Sequence, residues 1–280
     1  MPAAGFSATD IAKLLGIQPA RLRIFVREGF VAPRPGPRGA QRFSFQDLVV
    51  LRAAQGLLDD QLPARRVHEA LRKLREQLPN GRSLAQVRIV VDGGRVVVRD
   101  GQEAWEPASG QKVLDFEVAA LARKAAPIAL RGAAEARRHE QNLDAEDWFE
   151  LGLDLEATAP AEAEDAYRRV LALDAEHYDA RLNLGRLRHE AGDLRAAESH
   201  YRAAESAHPN DPTPAFNLGV ALEDGKRYEE AISAYQRAIA ADGSFADAHF
   251  NLSGVYQRLG RSALALRFLK SYRLLVRGPR

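Results

Sequence analysis

A repeat of 34 residues constrains the fold of this chain's C-terminal half more than any other feature. The motifs Asn183-Leu184-Gly185, Asn217-Leu218-Gly219 and Asn251-Leu252-Ser253 recur at that spacing. Small and aromatic residues keep the same interval: Ala163, Ala197, Ala231 and Ala265, and Tyr167, Tyr201 and Tyr235. A unit of this length cannot bury its apolar face alone, so neighbouring copies must stack on one another. The period therefore predicts a C-terminal α-solenoid of about four helical hairpins.

The residue types within each copy fit two helices in close contact. Alanine and glycine fall where the paired helices approach, and larger apolar side chains fill the gaps between them. This arrangement resembles the tetratricopeptide repeat family over about residues 145–275, which implies a scaffold that binds a protein or peptide. The first copy is one residue short. The last copy departs at Tyr272, where a small alanine is usual, and we expect it to act as a terminal cap.

The composition is that of an ordinary globular protein. The chain has 280 residues, of which 46% are apolar and 28% charged, and this length favours about two domains. No stretch reaches the roughly 20 apolar residues that a membrane-spanning helix needs. The N-terminus has neither the basic nor the apolar region of a secretion signal, so we expect a cytoplasmic protein. The chain contains no cysteine, which excludes disulfides, thiol catalysis and thiolate metal sites.

The net charge of +2 conceals an uneven distribution along the chain. Residues 1–82 carry 14 lysines and arginines against 7 acidic residues, a net charge of +7, whereas residues 83–280 carry a net charge of −5. Apolar residues are plentiful in both parts, so the basic block is predicted to fold. A folded basic block on a mildly acidic body predicts contact with a polyanion.

The N-terminal segment has the pattern of two short helices joined by a turn. Ser7 is followed three residues later by Asp10, a pair that predicts a capped helix start, and the apolar stripe that follows ends at Gly16. Pro19 opens the second helix, which ends at Gly29. Two short helices separated by a turn that contains glycine are typical of a helix-turn-helix.

A basic segment rich in proline and glycine follows, and then two more predicted helices. One begins with a cap at Ser44 and ends at about Leu58, and the other runs from about Pro63 to Leu78. The informative residues of this whole N-terminal region are Ile11-Ala12, Leu15-Gly16-Ile17, Pro19, Leu22-Arg23, Arg27-Glu28-Gly29, Gly39, Arg42-Phe43-Ser44 and Asp47-Leu48. Their order resembles the MerR-type winged helix-turn-helix family over residues 6 to about 76.

That resemblance implies DNA binding, with the second helix in the major groove and the wing on the flanking backbone. Arginine pairs with guanine and glutamine with adenine, so Gln18 and Arg21, near the start of this helix, are predicted to contact bases. Phosphate contacts are predicted for Arg23, Arg27, Arg38 and Arg42. Gln41 is assigned to the same surface although the family has a basic residue there, and Ile24 replaces a usual aromatic. The alternative is that these arginines form only a solvated helix face.

The three repeated asparagines allow two interpretations. Asn183, Asn217 and Asn251 are separated by the repeat length, so they should point the same way from successive first helices. Each amide offers donors and an acceptor, which suits the backbone of an extended peptide. Similar asparagine ladders bind peptide in some tetratricopeptide proteins. The alternative is that each amide forms hydrogen bonds only within its own repeat.

The middle of the chain resembles no family. Two β-branched runs, 87–91 and 95–99, flank the turn Asp92-Gly93-Gly94 and predict a β-hairpin. A further short strand is predicted at Lys112–Phe116, and a helix over Val118–Arg138 that breaks near Pro127.

The sequence thus predicts a mainly α protein of three parts. These are a winged helix-turn-helix domain at 1–82, a β-hairpin and helical connector at 83–143, and a repeat domain at 144–280. The function predicted is a transcriptional regulator of MerR type that binds double-stranded DNA and, through its repeats, a protein or peptide. The MerR resemblance leaves a homodimer open.

The remaining residues indicate no catalytic site. The seven histidines have no metal-ligand spacing, and neither a phosphate-binding glycine loop nor a nucleophile–base pair is present. We therefore expect no enzyme activity, no metal and no cofactor. The alternative function is a protein-interaction scaffold in which the winged helix domain docks a protein instead of DNA.

Overall fold

The computed structural model describes residues 5–36, 40–59, 87–92, 95–100 and 114–277. The chain divides into two compact units, Met1–Leu173 and Asp174–Arg280. The division falls inside the predicted repeat domain, so the first repeat hairpin lies in the N-terminal unit. The domain limits at residues 82 and 143 stay predictions. The predicted fourth helix, Pro63–Leu78, lies outside the described residues.

The N-terminal unit begins with a small antiparallel sheet and three helices. Its elements are β1 (Phe6–Ser7), α1 (Ala8–Leu15), α2 (Pro19–Arg27), β2 (Arg34–Pro35), β3 (Gln41–Phe43) and α3 (Phe45–Asp59). Strand β3 lies between β1 and β2, and places Phe6 opposite Phe43. No pattern in the sequence indicates β1, because two residues are too few to show an alternation. The strand nevertheless pairs Phe6 and Ser7 with the wing strand β3.

Both predicted helix caps of this region are confirmed. Ser7 and Asp10 form a capping box, in which each side chain accepts a hydrogen bond from the other residue's backbone N–H. Ser44 and Asp47 form the same reciprocal pair at the start of α3. Such pairs satisfy the backbone donors that the first turn of a helix leaves unbonded. Helix α1 ends at Gly16, whose φ of +70° is the left-handed conformation that glycine adopts most readily.

A second sheet and a long helix follow, and they agree with the prediction in outline. Strands β4 (Val87–Asp92) and β5 (Arg95–Asp100) form the predicted antiparallel hairpin, and β6 (Leu114–Glu117) pairs with the other edge of β4. Two residues of the predicted turn, Gly93 and Gly94, lie outside the described residues. Helix α4 (Val118–Arg138) then begins without a gap.

The predicted break of α4 near Pro127 is wrong, because the helix continues through this proline. A proline removes one backbone hydrogen bond and crowds the preceding turn, which usually breaks or kinks a helix. Pro127 lies on the exposed side of α4, where water can satisfy the freed carbonyl. The opposite side is anchored, since Val118, Leu121 and Ala125 are buried in the same core as α1, α2 and α3. The connector helix is therefore part of the N-terminal core.

The first repeat closes the N-terminal unit. Helices α5 (Ala145–Leu155) and α6 (Pro160–Leu173) form a hairpin whose core contains Trp148. The ring of Tyr167 lies against Gly152 so closely that a Cβ on this glycine would be 2.5 Å from the ring. The Tyr167 hydroxyl donates to Glu156 at 2.6 Å.

The C-terminal unit consists of three further hairpins, which confirms the predicted solenoid within this unit. Its helices are α7 (Tyr178–Glu190), α8 (Leu194–Ala207), α9 (Pro212–Asp224), α10 (Tyr228–Ala241), α11 (Ala246–Arg258) and α12 (Ser262–Arg277). The repeated alanines and tyrosines are buried between the paired helices, as the repeat register predicts: Ala197, Tyr201, Ala231 and Tyr235.

The turns inside two of these hairpins use glycine in the left-handed conformation, with φ of +81° at Gly192 and +71° at Gly260. In the hairpin between them, the corresponding position is Lys226, with φ of +59°. The neighbouring Gly225 has a φ of −75° and does not supply the left-handed turn. One turn of the solenoid is therefore formed by a residue poorly suited to it.

Candidate nucleic-acid interface and repeat surface

Helix α2 is fixed in the N-terminal unit by one apolar side. Leu22 and Phe25 are buried in the core that also contains Ile11 and Leu15 of α1. Phe25 lies against Phe30, beyond the end of the helix, with ring centroids 5.7 Å apart. Because two inward side chains hold α2, its opposite side faces outward.

That outward side carries four exposed residues in one row. Ala20, Arg23, Ile24 and Arg27 follow the spacing that places side chains on a single face of a helix, and we call them the α2 stripe. Arg27 forms an ion pair with its neighbour Glu28 at 3.2 Å. Within the described part of the chain, Arg23 makes no ion pair. The stripe thus presents two cations beside two apolar side chains.

The two residues predicted to contact bases lie away from this row. Arg21 is half-buried at the flank of α2 and already interacts with another group of the protein. Gln18 is exposed at the helix start, and its side chain makes no capping hydrogen bond. The structure therefore brings Arg23 and Arg27 together on the most accessible face of α2. Gln18 lies just before the first residue of this helix.

The wing holds the remaining predicted contacts. Gln41 is exposed and Arg42 half-buried on β3, and the backbone N–H of Gly36 donates to the Ala40 carbonyl at 2.6 Å across the wing turn. The Nε atom of Arg42 is buried and has no hydrogen-bond partner among the residues that the structure describes. Arg38 lies outside the described residues.

One arginine of the wing is engaged by the first repeat. Arg34 on β2 forms an ion pair with Glu150 of α5, and its guanidinium also lies 3.9 Å from the Asp154 carboxylate. Asp154 in turn accepts a hydrogen bond from the backbone N–H of Phe45, at the start of α3, at 3.0 Å. These contacts connect residues more than a hundred positions apart, so no local pattern could have indicated them.

Asp154 is a carboxylate buried in the N-terminal unit. It is 4% exposed, and burial raises its pKa to about 6, against the opposing effects of Arg34 and of the Phe45 hydrogen bond. Its Oδ2 atom has no hydrogen-bond partner within the described residues. Such a group costs stability when it is ionised, since a buried charge keeps little of its hydration.

The three repeated asparagines differ in their surroundings. Asn183 is 4% exposed and already interacts with another group of the protein. Asn217 is half-buried, and its side chain makes no hydrogen bond within the described ranges. Asn251 is also half-buried, and its amide lies within donating distance of the Tyr235 hydroxyl, at 3.4 Å. Of the three, Asn217 has the amide best placed for a partner.

Ion pairs connect neighbouring hairpins of the C-terminal unit. Arg227 contacts Glu198 and Glu230, and Arg261 contacts Glu229 at 2.5 Å. Apart from Glu198 these side chains are exposed, so the pairs contribute little to stability. Among the residues that the structure describes, no group of three or more His, Asp or Glu side chains could hold a metal ion. No described helix has the length and apolarity to cross a membrane.

Comparison with family models identifies the two domain types. The model described as MerR HTH family regulatory protein matches residues 6–74. The tetratricopeptide repeat model matches three times, at residues 153–212, 186–244 and 216–275. The chain therefore combines a MerR-type helix-turn-helix domain with tetratricopeptide repeats. These domain types support DNA binding and protein interaction at a general level, whereas the comparisons give no support for a homodimer.

Curated relatives match only about a third of the chain. A peroxisomal targeting signal receptor of Eremothecium gossypii is 35% identical over 97 residues, which is 34% of this chain and 17% of the relative. The corresponding receptor of Kluyveromyces lactis is 32% identical over 31% of this chain and 16% of the relative. The TPR repeat-containing thioredoxin TTL4 of Arabidopsis thaliana is 34% identical over 30% of this chain and 12% of the relative. The chain thus spans less than a fifth of each relative.

Solved structures of MamA also align with the chain. A MamA protein from Desulfovibrio magneticus RS-1 covers 57% of this chain and 95% of its own, at 24% identity and a TM-score of 0.48. Another MamA structure covers 51% of this chain and 83% of its own, at 20% identity and a TM-score of 0.47.

Proposed function

We propose that this protein is a DNA-binding transcriptional regulator of MerR type whose repeats bind a protein or peptide partner. The α2 stripe carries the proposal. A helix fixed by buried Leu22 and Phe25 directs Arg23 and Arg27 outward from a domain that matches the MerR model. An exposed cationic helix of this kind fits the major groove, where arginine contacts either phosphates or guanine.

The wing supports the same proposal. Gln41 and Arg42 lie on β3, beside the helix-turn-helix, and Arg42 keeps a buried Nε atom without a partner among the described residues. Arg42 is only half-buried, so part of its side chain reaches the surface, where a guanidinium can donate to a phosphate oxygen. Arg34, in contrast, is held by Glu150, so we assign it no DNA contact.

The first experiment selects DNA and then tests transcription. Full-length protein is incubated with fragments of cellular DNA, the bound fragments are sequenced, and transcription from a promoter that contains the selected site is measured with and without the protein. We expect one recurring site and a change in transcript level. The variant Arg23→Ala/Arg27→Ala should recover this site only weakly and should no longer change the transcript level. The control Arg195→Ala/Lys270→Ala removes two exposed cations from the repeats and should keep both.

A different outcome supports the scaffold instead. If the full-length protein binds no duplex even at low salt, the winged helix domain does not act on DNA. In that case the α2 stripe would be a surface for docking a protein. The proposal assigns the protein no catalytic activity and no cofactor, and places it in the cytoplasm.

The repeats supply the second half of the proposal. Part of the chain resembles receptors that are named for a targeting signal, which fits a repeat surface that recognises a peptide. Asn217 offers a half-buried amide on the first helix of its hairpin. An amide can donate to and accept from a peptide backbone, so it gives affinity with little dependence on the peptide's sequence.

A peptide selected from a random library on the full-length protein tests this part. Its Kd is measured for Asn217→Ala and for Asn142→Ala, which removes an exposed amide outside the repeats. We expect about a fivefold to tenfold weaker Kd for Asn217→Ala alone, the effect of one lost hydrogen bond. Equal Kd values for the two variants would show that Asn217 does not contact the peptide.

A further inference from the structure

The α2 stripe contains an apolar residue that the fold does not require there. Ile24 is 45% exposed and lies on the same outward side of α2 as Arg23 and Arg27. Leu22 and Phe25 already fill the core contact of this helix, so Ile24 is not needed for packing. Ala20 precedes it by one helical turn and is also exposed. The outward face of α2 therefore carries two apolar residues beside two cations.

This combination restricts the kind of surface that can cover the stripe. The apolar residues favour a partner with exposed methyl groups, and the arginines beside them favour a partner with negative charge. The DNA major groove has both properties, because phosphates line its edges and each thymine presents a C5-methyl group on its floor. The charge complementarity thus points to DNA rather than to an apolar protein surface.

We propose that Ile24, assisted by Ala20, contacts the C5-methyl groups of thymine and so sets the base preference of this protein. The inference rests on the proposed DNA binding and deepens it. Arginine alone favours guanine or phosphate, and neither contact detects a methyl group. Ile24 supplies branched apolar surface on the exposed face, where a thymine methyl can be removed from water.

The test removes only the methyl group from the DNA. A duplex is first selected from a random pool by full-length protein, and its thymines are then replaced by uracil, which leaves base pairing unchanged. Each buried methyl lost should weaken binding about fourfold. The Kd ratio between the uracil and thymine duplexes is measured for the wild-type protein and for Ile24→Ala.

We expect a ratio of about four or more for the wild type and a ratio near one for Ile24→Ala. Leu130→Ala is the matched control, since Leu130 is an apolar residue of α4 that is 43% exposed. This variant should keep the wild-type ratio. Because the uracil duplex is tested on the wild-type protein, the thymine-methyl contact itself is tested independently of how any variant folds.

The outcomes separate this inference from the proposed function. Equal affinity of the wild type for both duplexes would overturn the thymine contact and leave DNA binding standing. If Ile24→Ala keeps the wild-type Kd ratio between the uracil and thymine duplexes, another residue contacts the methyl group. This outcome also overturns the inference. Absence of binding to every duplex would overturn the proposed function itself.

Discussion

The ring of Tyr235 covers the backbone of Gly219 at the point where any other residue would place its Cβ atom. A Cβ at Gly219 would lie 2.5 Å from Cε1 of Tyr235, closer than such atoms can approach. Two other hairpins repeat this contact: Gly152 with Tyr167, and Gly185 with Tyr201. In the last repeat, Ser253 stands at the glycine position and Leu269 at the tyrosine position. The glycine and the tyrosine thus occur together and are replaced together.

This contact predicts that Gly219→Ala destabilises the C-terminal unit. Alanine favours a helix by about 1 kcal/mol over glycine, but overpacking a well-filled core costs about 1–3 kcal/mol. Since Tyr235 is fully buried, its ring has little room to move, and we expect a net loss of about 1 kcal/mol. Thermal unfolding followed by far-UV circular dichroism measures the change.

Gly254→Ala is the matched control for that substitution. Gly254 also lies inside a repeat helix, α11, but a Cβ there would meet nothing within 4 Å. We expect this variant to be more stable by about 0.5–1 kcal/mol, through helix propensity alone. If both alanine variants raised the melting temperature, the close packing of Tyr235 on Gly219 would be refuted.

Lys226→Gly should stabilise the solenoid. Lys226 holds the left-handed conformation that Gly192 and Gly260 adopt in the neighbouring hairpins. A side chain in this conformation costs roughly 1–2 kcal/mol. Glycine removes this strain, but it also makes the unfolded chain more flexible, which offsets part of the gain in stability. We expect a net gain of about 0.5–1 kcal/mol in the free energy of unfolding, from urea denaturation. Lys226→Ala keeps the strain and should show no gain, and an equal gain for both variants would contradict the explanation.

Asp154 should make the N-terminal unit less stable as pH rises. Its pKa is raised to about 6 in the folded state from an unfolded value of 3.8, so between these values the folded state binds more protons. Stability is therefore gained as pH falls through this window, and the shift corresponds to about 2 kcal/mol between pH 7 and pH 4.

Asp154→Asn removes this titration and supplies the comparison. Trp148 is buried in the N-terminal unit, so its fluorescence reports the unfolding of this unit in urea. The difference in unfolding free energy between wild type and variant should move in favour of the wild type as pH falls. A difference that stays constant from pH 4 to pH 7 would show that Asp154 is ionised with an ordinary pKa.

Arg42→Ala should weaken binding to all DNA sequences alike. A phosphate contact carries no base information, so the selected duplex and an unrelated duplex should lose affinity by the same factor. The slope of log affinity against log salt should also fall by about one. Competition between the two duplexes measures the ratio of their affinities, and a changed ratio would mean that Arg42 contacts a base.

Local sequence patterns predicted those parts of the fold that local interactions determine. The Ser7–Asp10 and Ser44–Asp47 caps act over three residues, so their motifs suffice to locate the helix starts. The repeat register was also predictable, because several copies show the same residues at the same spacing. The expected break at Pro127 was wrong because the penalty of a proline depends on whether water reaches the freed carbonyl, which only the folded helix decides.

The candidate site was only partly predictable for the same reason. The sequence indicated which helix carries the arginines, but not that Arg21 lies at the flank and Arg23 on the exposed face. It also gave no sign that Arg34 pairs with Glu150. These contacts depend on how distant elements pack, and no single chain segment encodes them.

The salt dependence of DNA affinity tests the central claim most directly. Four to six phosphate contacts release counterions on binding, so log affinity of the full-length protein should fall against log salt with a slope of roughly −4 to −5. In Arg23→Ala/Arg27→Ala the slope should be shallower by about two, while Arg195→Ala/Lys270→Ala should keep the wild-type slope. A slope near zero, or one that loss of Arg23 and Arg27 leaves unchanged, would contradict the account.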